Sequence, residues 1–167
     1  MAQFIRPDSN ITQSSFTGGF ADIDEVTPND SDYAYSANNA NAVLEVGLSD
    51  PAAIPASGTC TVRWRIAKTN NGTVNGSGAI IDVTPSFRQG GSEIQGASSQ
   101  SATGTWTTYE FTFESTSVSD WTDLSLRFSV PSTGGPPANR RGGAISWAEV
   151  EIPDPPPPVL TRYVLLT

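Results

Sequence analysis

Glu149 and Glu151 stand two residues apart in segment 144–152, so on a strand both carboxylates leave the same face. A carboxylate pair is the machinery of glycoside hydrolysis, which needs the two groups about 5–9 Å apart. The third acid of the usual run is absent and Pro153 interrupts the strand, so the spacing favours an outward, solvated pair. The chain has no histidine, which removes Ser-His-Asp and Cys-His catalysis and the usual zinc sites. Cys60 is the sole cysteine, so no disulfide can form within the chain, and its place at a strand start suits a small apolar residue. Gly72, Gly76 and Gly78 cluster without the Gly-Lys-Ser/Thr ending of a phosphate loop. Asp22, Asp24, Asp30 and Asp32 are oxygen donors of the kind calcium takes. Twelve-residue windows from Asp22 or Asp30 nevertheless end on Tyr33 and Asn41, not on the glutamate of an EF-hand. The expectation is a chain that is not an enzyme, with no catalytic residue, metal or cofactor.

Tryptophan offers a different chemistry, stacking on sugar rings or anchoring an interface. Trp64 shares the apolar stripe of its strand and reads as core. Trp106 and Trp147 fall out of phase with the apolar faces of their strands, and Trp121 precedes a strand in a loop. These three are the candidate stacking or interface aromatics, with burial at a sheet edge the competing reading.

Strands must position these residues. Leu44, Val46 and Leu48 alternate in 42–48, and Val62, Trp64 and Ile66 in 59–67, with Arg63 and Arg65 on the opposite face. Asn70-Asn71-Gly72 and Gly90-Gly91 are tight-turn signals. Segment 79–87 points Ile81 and Val83 inward, and Pro85 marks an edge or bend there. A short strand is expected near Glu93-Ile94-Gln95. Tyr109, Phe111 and Phe113 alternate in 105–114, Leu124, Leu126, Phe128 and Val130 in 123–130, and Ala148, Val150 and Ile152 in 144–152. The first forty residues read as a loop-rich segment plus a first strand, with isolated aromatics at Phe16, Phe20, Tyr33 and Tyr35. No segment has helical periodicity. The prediction is an all-β chain, a two-sheet antiparallel β-sandwich over residues 1–152.

Composition agrees: hydrophobic residues make up 37% and charged residues 16%, the remaining polarity being Ser, Thr, Asn, Gln and Gly. Seventeen acids against nine bases give a net charge of −8, which repels phosphate backbones and sets nucleic acid aside as a partner. No apolar run approaches the ~18 residues of a membrane span, and no basic amphipathic stretch suggests a membrane surface. The start, Met1 to Pro7, lacks the pattern of a signal peptide, so synthesis and retention in a cytoplasm are expected.

The end of the chain differs from the rest. Residues 153–158 form a proline linker, stiff and extended at about 3.1 Å per residue. The β-prone arm 159–167 follows, with Val159, Leu160, Tyr163, Val164, Leu165 and Leu166 as its apolar set. A free apolar strand is an aggregation hazard, so the arm is expected to dock on its own domain or on another chain, and its apolar set is the candidate oligomer or capsid interface.

Trp106-Thr107-Thr108-Tyr109-Glu110-Phe111-Thr112 resembles a strand of galactose-binding-like and carbohydrate-binding-module jelly-rolls, and Asp123 to Phe128 followed by Ile145 to Glu151 resembles their final strands. With Phe20 to Glu25 and Asp32-Tyr33, the pattern over residues 8–153 is similar to small virion proteins of tailed phages. The resemblance implies a jelly-roll on a virion, a head decoration or cement protein assembled in the host cytoplasm. Its implied partners are the major capsid protein and further copies of the chain, a homo-oligomer with a trimer favoured. The alternative it implies is a carbohydrate-binding module of a tail or fibre protein, with carbohydrate as ligand. The chain departs from the sugar-binding relatives in having no clear row of binding aromatics.

Overall fold

The computed structural model describes residues 2–155. Along them run β1 (Gln3–Ile5), β2 (Pro7–Ser14), β3 (Phe16–Thr17), β4 (Ala34–Ser36), β5 (Ala42–Leu48), β6 (Thr59–Asn70) and β7 (Thr73–Val74). Then come β8 (Ile81–Gln89), β9 (Ser92–Gly96), β10 (Gln100–Ala102), β11 (Thr107–Glu114), β12 (Leu124–Val130) and β13 (Gly142–Ile152). Short 3-10 turns lie at Phe20–Asp22, Ser115–Ser117 and Pro137–Asn139. The described residues form a two-sheet antiparallel β-sandwich. One sheet has seven strands in the order β11-β6-β13-β4-β3, with β1 added to β13 and β7 to β6. The other has six in the order β10-β8-β12-β5-β2, with β9 added to β8.

Alternation in the long strands explains the architecture. Leu44 and Val46, Val62, Trp64 and Ile66, and Leu126 and Phe128 are buried, each from one side of its strand. Burying a side chain of this size is worth about 1.5–3 kcal/mol, so each strand gains only by facing another sheet. The two layers meet at stacked rings: Phe87 and Phe113 lie 4.3 Å apart between centroids. Trp64 stacks on Tyr109 at 6.1 Å and tilts against Phe111 at 5.6 Å. Asn71 and Gly72 take φ of 48° and 82°, the left-handed pair that a two-residue hairpin turn requires between β6 and β7.

Three features depart from the sequence expectation. Pro85 lies inside β8, an inner strand and not an edge of its sheet: β8 pairs β12 on one side through Pro85↔Phe128. On its other side β10 covers Ile81–Val83 and β9 covers Ser86–Gln89, so the proline falls where the partner changes and its missing N–H costs no ladder bond. The N-terminal segment holds four strands rather than one, and it crosses between sheets: β1, β3 and β4 join the seven-stranded sheet, β2 the six-stranded one. Finally, β2 is an edge strand with seven of its eight residues exposed, so it carries no apolar alternation to read. Two register shifts against β5 irregularise that edge. The apolar set of the arm, Val159, Leu160, Tyr163, Val164, Leu165 and Leu166, lies outside the described residues.

Candidate binding face

The outer face of the seven-stranded sheet gathers most of the residues that could do chemistry. On β6 the residues between the core positions point outward. Arg63 is the cross-strand partner of Glu110 on β11 and of Glu149 on β13, and Arg65 is that of Thr108 and Trp147. The Arg63 guanidinium lies 3.2 Å from Glu110, 2.7 Å from Glu151 and 3.5 Å from Glu149. Arg6, just past β1, reaches Glu149 at 2.8 Å and caps the exposed ring of Phe4 at 5.5 Å. The two glutamates therefore do share a face, as expected, but they are not a solvated pair. Glu149 retains 7% of its side-chain exposure and is clamped between two guanidiniums. A carboxylate so held anchors the two arginines that flank it.

At the middle of this face, Arg65 grips Asp30 with two hydrogen bonds of 2.7 Å, and Ser146 Oγ donates to the same carboxylate at 3.1 Å. The bidentate clamp holds the Asp30 carboxyl below its ordinary value. Ser146 is displaced from the ladder by a bulge between Ile145 and Trp147, which turns it toward the aspartate. The segment leading to Asp30 drapes over β13: Ala148 N–H donates to Ile23 O at 3.0 Å and Trp147 Nε1–H to Glu25 O at 2.9 Å. Trp147 thus points outward, as its phase requires, yet is 6% exposed because that segment covers it. Trp121 is 5% exposed and belongs to the core. Neither can present a stacking face, which corrects the expectation for these two; a residue in a loop obeys no strand period, and a strand's outer face can be covered from above.

Trp106 differs. It is half-buried beside β11, and its ring meets Tyr33 edge-on at 5.3 Å, while Tyr33 meets Tyr35 at 6.2 Å. Tyr33 Oη–H donates to Gly72 O at 2.7 Å. Gly72 is favoured on two counts: its φ is 82°, and a Cβ there would come 2.7 Å from the Tyr35 ring, which would have to shift. Ala67 and Ala144, cross-strand partners on the outer side, are buried beside these rings, Tyr35 being the next partner of Ala144. Sequence reasoning saw Tyr33 and Tyr35 only as isolated aromatics. The signal was the short alternation Tyr33-Ala34-Tyr35-Ser36, in which the small residues are buried and the large ones face out, the reverse of the usual pattern.

Of the four aspartates considered for calcium, Asp30 is engaged by Arg65, and Asp22 accepts the Gly19 N–H at 2.5 Å. Among the described residues no group of three or more acids or thiols is placed to hold a metal ion. Desolvation raises Glu25, with the charges of Asp32, Asp24 and Asp22 adding to it; Asp32 is raised by desolvation and by its contact with Asp22. Burial pushes the Cys60 thiol up to about 12. A shallow groove of about 400 Å³ lies on the other sheet, lined by Val43, Thr84, Ser129, Val130 and Pro131. No family model matches the chain, and no curated protein matches it.

Proposed function

We propose that this chain is a structural protein of a tailed-phage virion, a head decoration or cement protein that binds the major capsid lattice non-covalently. The observation that carries the reading is where the resembling stretches meet. The N-terminal stretch around Phe20–Glu25, Tyr33, Trp106 and the last strand come together on one outer face, through the Tyr33–Trp106 ring contact and the Glu25–Trp147 and Ile23–Ala148 hydrogen bonds. That face is a braced array of aromatics and ion pairs spread over four strands, not a cleft, and so suits a macromolecular partner more than a small substrate. The test is co-sedimentation of the purified chain with capsids that lack it. Saturable binding, weakened at least tenfold by Tyr35→Ala with Trp106→Ala, is expected; a chain that stays in the supernatant overturns the reading.

A second reading, a carbohydrate-binding module, is favoured by the Tyr33, Tyr35 and Trp106 cluster itself, whose rings could stack on sugars. A glycan array with the Trp106→Ala variant as control separates the two: glycan signal lost in the variant supports sugar recognition, and a blank array removes it.

A further inference from the structure

We infer that the free edge of β11 is an acceptor site for the C-terminal arm, residues 159–167, of a neighbouring copy of this chain, which adds to it as an antiparallel strand. The inference deepens the assembly reading above and rests on it for the identity of the neighbour.

The sandwich presents several edges, and they are not equivalent. β3 and β10 have two and three residues, and β9 and β2 are register-shifted against their partners. β11 runs eight residues in unbroken register with β6, and among the described residues it pairs with no other strand. Such an edge is a template for strand addition unless something covers it. Its inward side also lacks cover: Tyr109 and Phe111 point to the core yet remain half-buried, whereas Phe113 on the same strand is buried. An added strand would complete the burial of both rings. Its outer side carries Glu110 and Glu114, and the arm's one charged side chain is Arg162.

The chain's exit fits the role. β13 ends at Ile152, and Pro153 abuts Gly58, whose carbonyl accepts the N–H of Ser115 immediately after β11. The arm therefore leaves at the end of β11 where an antiparallel partner would begin. Its nine residues span ~30 Å against ~27 Å for the eight of β11. The linker decides whose edge is filled. From β13 to the free side of β11 is three strand spacings, ~14 Å. Six residues of polyproline-type chain cover ~19 Å in a nearly straight line and resist the reversal a return would need. A linker that kept this stiff, extended form would carry the arm past its own edge, which favours a neighbour's.

Sedimentation of the full chain, of a chain lacking residues 154–167, and of Tyr109→Lys, which places a charge on the inward side of the edge, tests this. The full chain should be oligomeric and each altered chain monomeric. Mixing the two altered chains should restore a one-to-one complex, since one keeps its edge and the other its arm. If Tyr109→Lys does not fold, Val164→Asp with Leu165→Asp in the arm serves instead, read by hydrogen exchange: β11 amides should lose protection in the variant at least tenfold. A monomeric full chain, an oligomer that survives loss of the arm, or a mixture that stays monomeric overturns the proposal. Capsid binding by the same chains keeps the two readings apart. Arm exchange without capsid binding removes the virion role alone, and capsid binding by a monomeric full chain removes arm exchange alone.

Discussion

Cys60 gives the molecule an internal reporter. Its thiol is buried on β6 and pushed up to about 12, so little thiolate is present at neutral pH and none is accessible. Labelling with a thiol reagent should proceed only on unfolding, at least a hundredfold slower in the native chain than in denaturant; prompt labelling of the native chain would contradict the burial. Glu149 is a second diagnostic position. Glu149→Ala leaves Arg6 and Arg63 without their shared anion and should cost about 2 kcal/mol in a urea melt. The loop carboxylates predict a pH signature. Asp30, held low by Arg65, stabilises the fold above its ordinary value and ceases to do so as pH falls through its lowered one. Glu25 and Asp32, held high, bind more protons folded than unfolded, so stability rises as pH falls from neutral through their range. The melting temperature should therefore peak at mildly acid pH. Glu25→Gln should flatten the neutral side of that curve and Asp30→Asn the acid side.

At the scale of elements, the segment from Gly18 to Tyr33 is held over β13 and β6 by few bonds, of which the clamp from Asp30 to Arg65 of β6 is the strongest. Asp30→Ala should release it: acrylamide quenching of tryptophan fluorescence should rise as Trp147 is uncovered, while the β6–β13 amides stay protected from exchange. That segment also marks the limit of what the sequence conveys. The long strands β5, β6, β11, β12 and β13 are legible because each turns an apolar stripe to the core at every second residue, and that stripe is what alternation records, even where the outer face of β13 is covered as well. β2 is not, since an exposed edge selects no apolar residue. β4 hides because it buries Ala34 and Ser36 and leaves its tyrosine half-buried on the outer side. The site divides the same way. That Arg63, Glu149 and Glu151 face outward follows from a period of two, but which of them meet depends on strand order, and strand order is set by pairings between residues as distant in the chain as Gln3 and Ile152. Trp147 was readable as outward and unreadable as covered, because the cover comes from a loop more than a hundred residues earlier.

For the whole molecule, the decisive feature is the place of β13. This strand, the last among the described residues, is not an edge but an inner strand of its sheet, with β6 along one side and β4, Ile23 and then β1 along the other. Refolding should be governed by these distant pairings, its main phase falling in the millisecond-to-second range expected of such topologies when followed by stopped-flow fluorescence. Synthesis on the ribosome meets the same constraint from the other direction. Until residues 142–152 have emerged, β6 with β11 and β7, β4 with β3, and β1 have no strand to join them, and the nascent chain holds this sheet in three separate parts. A pause in translation anywhere before that point would leave a species for chaperones to hold, and translation through Ile152 supplies the strand that joins those parts.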